Sequence, residues 1–294
     1  MIKGLAITPP VLGRISIGRV VEKNGKRVPE KDDQFTITSQ IQSKEGWVKH
    51  PLDEQLRQQA PNQKLRTIPV RMIFNDPDLN LRAEYTLFDR QTGRPICIGN
   101  GESCQRYTQN GVEQHVCPSP DRCRLAQAGQ CKPYGRLYVN LDEADELGTF
   151  IFRTTGYNSI RTLAARLSYY HAASGNLLSC LPLQLNLRGK STTQSYRTPV
   201  YYVDLTLRDG VSLKQALQVA QEADQQSKAA GFEQQALDFI ARQGFGYASI
   251  EAQSEEGLDV MDEFYPEELN QSHTGIADEA LLLQQQLRQS SQMV

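Results

Sequence analysis

Residues 97–141 read CIGNGESCQRYTQNGVEQHVCPSPDRCRLAQAGQCKPYGRLYVNL and hold five of the six cysteines in the chain. Four of them, Cys104, Cys117, Cys123 and Cys131, follow a C-x12-C-x5-C-x7-C spacing through sequence punctuated by Gly, Pro, Asn and Ser. Such a segment has little apolar periodicity with which to order itself. A metal can supply that order, and zinc takes four thiolates at about 2.3 Å in a closed structural site. The expectation is a zinc-binding loop insertion at about 97–137, with Cys104, Cys117, Cys123 and Cys131 as ligands to a structural Zn2+. The paired C-x2-C knuckles of zinc ribbons are missing, so two other readings stay open: reduced, partly buried thiols, or a pair oxidised outside the cytosol. An iron–sulfur cluster takes the same donors, and His115 can replace one sulfur. Cys97, in the apolar run 95–98, reads as a strand residue, and Cys180, in LLSCLPL, as core.

Upstream, VLGRISIGRVVE (11–22) and QFTITSQI (34–41) alternate around an NGK turn, the pattern of paired strands. PLDEQLRQQ opens at Pro51 with Asp53 and Glu54 in its first turn and reads as a short helix. TIPVRMIF (67–74) and LRAEYTLFD (81–89) read as a strand pair across NDPD. Downstream, RLYVNLDEADELGTFIFRTTG (136–156) reads as strand, acidic turn, strand. SIRTLAARLSYYHAASG (159–175) places Ile160, Leu163, Ala164 and Leu167 at helical spacing, with Ser159 as N-cap and Gly175 as stop. Residues 181–207 read as two strands around a polar loop. The order β-β-α-β-β predicts an α+β fold with an antiparallel β-rich core rather than a doubly wound parallel sheet.

After that core, SLKQALQVAQEADQQSKAAG (212–231) and FEQQALDFIARQG (232–244) read as C-terminal helices, the first capped by Ser212 and stopped by Gly231. Residues 249–279 contain ten acidic residues and no Lys or Arg, a composition that buries too little surface to fold alone. Residues 276–292 form a terminal helix only against a partner surface. The expected organisation is a core at 1–210 carrying the Cys-rich insertion, a helical extension at 211–248, and an acidic flexible tail with a terminal helix at 249–294.

A chain of 294 residues accommodates one large domain or two ordinary ones. The opening MIKGLAITPPVLG is not built like a signal peptide, and no run approaches the about 18 apolar residues that span a bilayer. A cytoplasmic location without a membrane partner is expected, and a reducing cytosol disfavours structural disulfides. The net charge of −2 conceals an asymmetry: residues 1–140 carry 21 Lys/Arg against 14 Asp/Glu, and residues 141–294 carry 11 against 20. A basic half suits a nucleic-acid surface and an acidic half competes for it, with uneven solvated charge as the plain alternative. Arg14, Arg19, Arg66, Arg71, Arg82, Arg90 and Arg94 recur on or beside the β-segments. Those sharing an exposed face would track phosphates; each taken alone also serves as edge protection. Arg66, Arg71, Arg161, Lys190 and Arg197, which flank strands or open a helix, are the expected phosphate contacts. Tyr196, Tyr201 and Tyr202 either stack bases or simply pack.

The four histidines, His50, His115, His171 and His273, belong to no HExxH pattern, and no G-x-S-x-G, Walker A or G-x-G-x-x-G context occurs. Asp76 and Asp78 in NDPD read as turn chemistry. No catalytic residue is assigned, and a four-thiolate site has no open coordination position.

The succession GRISIGRVVEKNGKRVPEKDDQFTIT (13–38), VRMIFNDPDLNLRAEYTLFDRQTGRPICIGNGESC (70–104), CPSPDRCRLAQAGQCKPYGRLYVNL (117–141) and LGTFIFRTTGYNSIRTLAARL (147–167) resembles the phage recombination directionality factor family. Its most specific parts are the CP...C...A..G.CKP.GRL pattern from Cys117 to Leu137 and TTGY at Thr154–Tyr157. The resemblance implies a protein that binds a large serine integrase and redirects it from integration to excision. Similar chains on mobile elements are labelled hydrolase or metal-binding. Three functions follow. One is a DNA-transaction accessory protein of a phage or mobile element, acting on DNA, a serine integrase or another recombination or replication protein. The second is a single-stranded DNA-binding or annealing protein that forms homo-oligomers, and the third a hydrolase with an unrecognised site.

Overall fold

A computed structural model describes residues 10–23, 26–43, 46–126, 130–141, 148–191, 193, 199–245, 260, 261 and 264, and the side chains among these except those of 19–31, 244 and 245. The first described element is β1 (Val11–Lys23), paired with β2 (Lys26–Ser43), the strand pair that the alternation predicts. A bulge interrupts their register between Ile17 and Arg19, where Gly18 takes φ +88. β3 (Gly46–Lys49) and α1 (Pro51–Gln59) follow. Asp53 of α1 is buried; it accepts the Ile37 N–H at 2.8 Å and pairs with Arg57 at 2.7 Å, which ties the helix to β2.

β4 (Thr67–Met72) and β5 (Leu81–Phe88) do not pair with each other, contrary to the expected strand pair. Between them lies α2 (Pro77–Asn80), capped by Asp76, whose carboxylate accepts the Asp78 N–H. The buried Asn80 side chain accepts the N–H groups of Ile73 and Phe74 and donates to the carbonyls of Phe74 and Asp76. These bonds satisfy the backbone that a hairpin would have paired. They lay β4 and β5 end to end along one long strand, β9 (Cys131–Leu141).

The described residues of 97–137 are not simply a loop insertion. They form most of β6 (Pro95–Gly99), all of β7 (Ser103–Thr108) and β8 (Gly111–Val116), and the first part of β9, joined as an extension of the main sheet, with a loop at 117–126. β9 then pairs antiparallel with β10 (Thr149–Thr154), and β11 (Leu183–Lys190) with β12 (Val200–Leu207). The twelve-stranded sheet runs β3-β2-β1-β10-β9-β5-β6-β7-β8, with β4 also on β9 and β11 on β4. It is mixed rather than purely antiparallel, because β1 runs parallel to β10. Those two strands are far apart in sequence, so no hairpin turn sets their direction.

One face of the sheet carries the core: Phe35, Ile37, Val70, Leu137, Phe150 and Leu185 are fully buried. α3 (Tyr157–Ser174) lies across it through Leu163 and Leu167. The helix begins one turn earlier than Ser159, after Gly156. Ser159 instead takes the Val203 N–H on its hydroxyl at 3.1 Å, which docks α3 on β12. Gly175 ends the helix at φ +65 as expected. Gly135 sits beneath it, where an added Cβ would come within 2.8 Å of Ile160 Cγ1. α4 (Leu213–Ala229) starts with the reciprocal Ser212 and Gln215 capping bonds and adds Ala216 and Ala220 to the core; α5 (Gln234–Phe245) follows. Among the described residues no helix is long and apolar enough to cross a membrane.

Candidate functional site

Residues directly opposite on paired strands project to the same face, so the register of β9, β5, β6 and β7 builds two chemically different surfaces. On the core side, Cys131 of β9 opposes Leu87 of β5, Leu87 opposes Cys97 of β6, and Cys97 opposes Arg106 of β7. In the next row Gly99 opposes Cys104. The loop after β8 folds over this patch, and Cys97, Cys104, Cys117, Cys123 and Cys131 line one cavity with Tyr85, Leu87 and Arg106. Gly99 makes that closure possible. A Cβ there would stand 2.8 Å from Cys117 Sγ and 2.8 Å from Cys104 Cβ.

Cys104 and Cys131 are therefore strand residues rather than loop residues. Cys97, read from sequence as an ordinary strand residue, is on a strand but turns its thiol into the cavity. Its period-two relation to Gly99 was the available signal. Burial pushes the Cys131 thiol up to about 12, with Cys97 and the other thiols adding to it. Burial likewise lifts Cys97 to about 12, against the pull of Arg106. A buried multi-thiol set of this kind suits a thiophilic cation, whose charge offsets the desolvation of the thiolates. Among the described residues, however, no three His, Cys, Asp or Glu side chains are arranged to hold a metal ion. The donor chemistry suits a thiophilic metal, but the sulfurs as placed line a cavity and are not gathered into a ligand set.

On the opposite side of the same strands stands a row of arginines. Arg136 of β9 is directly opposite both Arg82 of β5 and Arg153 of β10. Arg14 of β1 opposes Ile151, two residues before Arg153 on the same face. All four are buried, at 4–9% exposure. Glu84 accepts from Arg82 Nε at 3.2 Å and from Arg136 Nη2 at 3.3 Å. The Arg14 guanidinium lies 3.8 Å over the Trp47 ring, and that of Arg136 lies 5.5 Å from the Tyr134 ring. Burial pulls the Arg82 pKa below its usual value, with Glu84 opposing. Like charges set directly opposite one another cost stability, and the Glu84 carboxylate offsets part of that cost between Arg82 and Arg136. Beside the row, Val260, Met261 and Phe264 pack on Phe88 and Tyr134, with the Phe264 ring edge-on to Tyr134 at 6.0 Å. They come from the acidic stretch, whose other residues between 249 and 279 lie outside the described residues.

The expected phosphate contacts are scattered. Arg71 opposes Asn140 and so shares the arginine face, where it is exposed. Arg66 is bonded to Asp33; hydrogen bonds from Lys64 and Arg66 hold that carboxyl down at about 2. Arg161 is exposed on α3, across the sheet, and Lys190 is exposed at the end of β11. Arg197, Tyr196 and His273 lie outside the described residues. Arg14 and Arg82 were noted in sequence among the recurrent arginines; Arg136 and Arg153 were not singled out.

The described histidines are engaged separately. His50 accepts the Leu52 N–H at the start of α1, and His171 Nδ1 lies 2.8 Å from the Asn75 carbonyl. His115, opposite Cys104, has Nε2 3.3 Å from Glu113.

Comparison with curated proteins and with solved structures finds no match. A family model described as Gp3-like, recombination directionality factor-like, matches residues 12–208, which span the sheet from β1 to β12 together with the thiol cavity and the arginine row. The chain belongs to the recombination directionality factor-like family.

Proposed function

We propose that this protein is an accessory factor of site-specific recombination in a phage or mobile element, acting on a recombinase bound to DNA and switching the direction of its reaction. Membership of the recombination directionality factor-like family over residues 12–208 carries this reading. In it the protein performs no bond chemistry of its own. It contributes binding energy that favours one arrangement of the recombinase–DNA complex over another, and a ligand shifts an equilibrium by its differential affinity for the two states. The sheet supplies a stiff platform for that purpose. A structural metal held by Cys104, Cys117, Cys123 and Cys131, with Cys97 lining the same cavity, would fasten the loop after β8 to the strands. It would supply charge neutralisation and rigidity.

The deciding experiment combines the purified protein with a serine integrase encoded beside it and with DNA carrying either the two integration sites or the two product sites. Recombination of the product sites should require this protein, and integration should be suppressed by it. No change in either direction, together with no co-elution of the two proteins, refutes the proposal. A single-stranded DNA-binding or annealing role is the second reading, favoured by the excess of Lys and Arg over Asp and Glu in residues 1–140. Strand annealing without any recombinase would support it.

A further inference from the structure

We propose that β8 is an open pairing edge whose occupant is the β8 strand of a second copy of this chain, antiparallel about a two-fold axis at Gln114. Among the described residues β8 pairs with β7 alone and ends the sheet. The Cys117 N–H donates to the Glu102 carbonyl at 2.8 Å. Hydrogen-bonded pairs alternate along an antiparallel ladder, so Gly111, Glu113 and His115 also turn their backbone groups toward β7. Val112, Gln114 and Val116 therefore aim theirs outward from the sheet. The other outer strands are handled differently. β3, at the opposite end, is four residues long and finishes on Lys49, and β12 gives its Val203 N–H to Ser159 of α3. Gly111–Val116 contains no Lys, Arg or Pro, the residues that usually blunt an edge.

The occupant follows from register. A two-fold axis must pass through an outward-facing residue for the outward groups of both copies to meet, and Gln114, the middle one of the three, gives the longest overlap. Gln114 then opposes itself, and Val112 opposes Val116 of the second copy. On the other face Glu113 opposes His115 of the second copy, twice by symmetry, so a carboxylate meets an imidazole that can donate to it. Val112 is 48% exposed and Val116 78%, and Tyr107, opposite Val112 on β7, is 43% exposed. Pairing joins these side chains into one apolar strip across the seam. An axis at Glu113 would instead set two carboxylates against each other and present backbone groups already turned to β7. A strand of six residues falls far short of the about 20–30 residues a side of a standard interface, so the dimer is weak and forms as concentration rises.

The test is sedimentation velocity of the full-length chain from about 1 μM to about 1 mM, the range in which an interface this small dissociates. The parent should pass from monomer to dimer. Gln114→Pro removes both central hydrogen bonds of the seam and spares the β7 ladder, so association should weaken about tenfold or more. Cross-linking reads the register. With paired Cα atoms about 5.5 Å apart, Gln114→Cys should form a disulfide with its own copy under mild oxidant, above the background of the parent oxidised in parallel. Val112→Cys should not, because the two copies of that position stand about 14 Å apart along the seam. Both positions are exposed, and a thermal melt checks each fold; where Gln114→Pro unfolds, the cross-linking pair decides. A parent that stays monomeric throughout overturns the inference. So does dimerisation unchanged in a folded Gln114→Pro, or a Gln114→Cys cross-link no stronger than that of Val112→Cys. If the parent is monomeric and Gln114→Pro abolishes co-elution with the recombinase, the edge takes a recombinase strand and self-pairing is refuted. The accessory-factor reading stands or falls separately, on the recombination assay.

Discussion

Glu84→Gln asks whether charge holds the arginine face together. The amide preserves the shape and one acceptor oxygen. It removes the negative charge lying 3.2 Å from Arg82 Nε and 3.3 Å from Arg136 Nη2, two guanidinium groups less than a tenth exposed. Removing one partner of a buried pair costs about 3–5 kcal/mol. The Glu84 side chain is 18% exposed and its contacts are long for charge-assisted bonds, which places the loss at the lower end, about 3 kcal/mol. At about 2–4 °C per kcal/mol for a domain of this size, Tm should fall by about 6–12 °C. Urea unfolding followed by tryptophan fluorescence is the matching assay. Trp47 is the single tryptophan and lies under Arg14 on this same face. A loss below about 1 kcal/mol with an unchanged urea slope would refute the reasoning, because the row would then be neutralised by solvent or by groups other than Glu84.

Metal analysis of the purified protein should find one zinc per chain; Cys123→Ser should lower that content and open residues 100–136 to protease, whereas a metal-free parent that is fully folded would sink the metal proposal. Gly135→Val should destabilise by about 1–3 kcal/mol through overpacking against Ile160, read by urea unfolding, and an unchanged midpoint would show that α3 can move away at no cost. Asp33, lowered from 3.8 to about 2, stabilises fully above its ordinary pKa and loses that contribution as pH falls through about 2. The stability curves of the parent and Asp33→Asn should therefore converge between pH 4 and 2, and parallel curves would show that the ion pairs with Lys64 and Arg66 do not contribute.

Local rules make the local elements legible in sequence. Ser212 announces the start of α4, Gly175 the end of α3, and Pro51 the first turn of α1, because capping and backbone conformation depend on neighbours a few residues away. The motifs from Cys117 to Leu137 and at Thr154–Tyr157 also carry the family, which the match over 12–208 shows. The cysteine count marked the cavity, yet Gly and Pro around Cys104 and Cys131 made strand residues look like loop residues. The tertiary structure decided the rest. Period-two alternation says which residues of one strand share a face, but not which strand lies alongside or in what register. Asn80 sets β4 and β5 end to end, and only the resulting alignment along β9 puts Arg82 opposite Arg136. The β9–β10 hairpin adds Arg153, and the parallel pairing of β1 with β10 adds Arg14. The same register turns Cys97 toward Cys104 and Cys131 on the other face. Both surfaces depend on pairings between residues distant in the chain, β5 with β9 and β1 with β10, and such pairing leaves no trace in the spacing of any single segment.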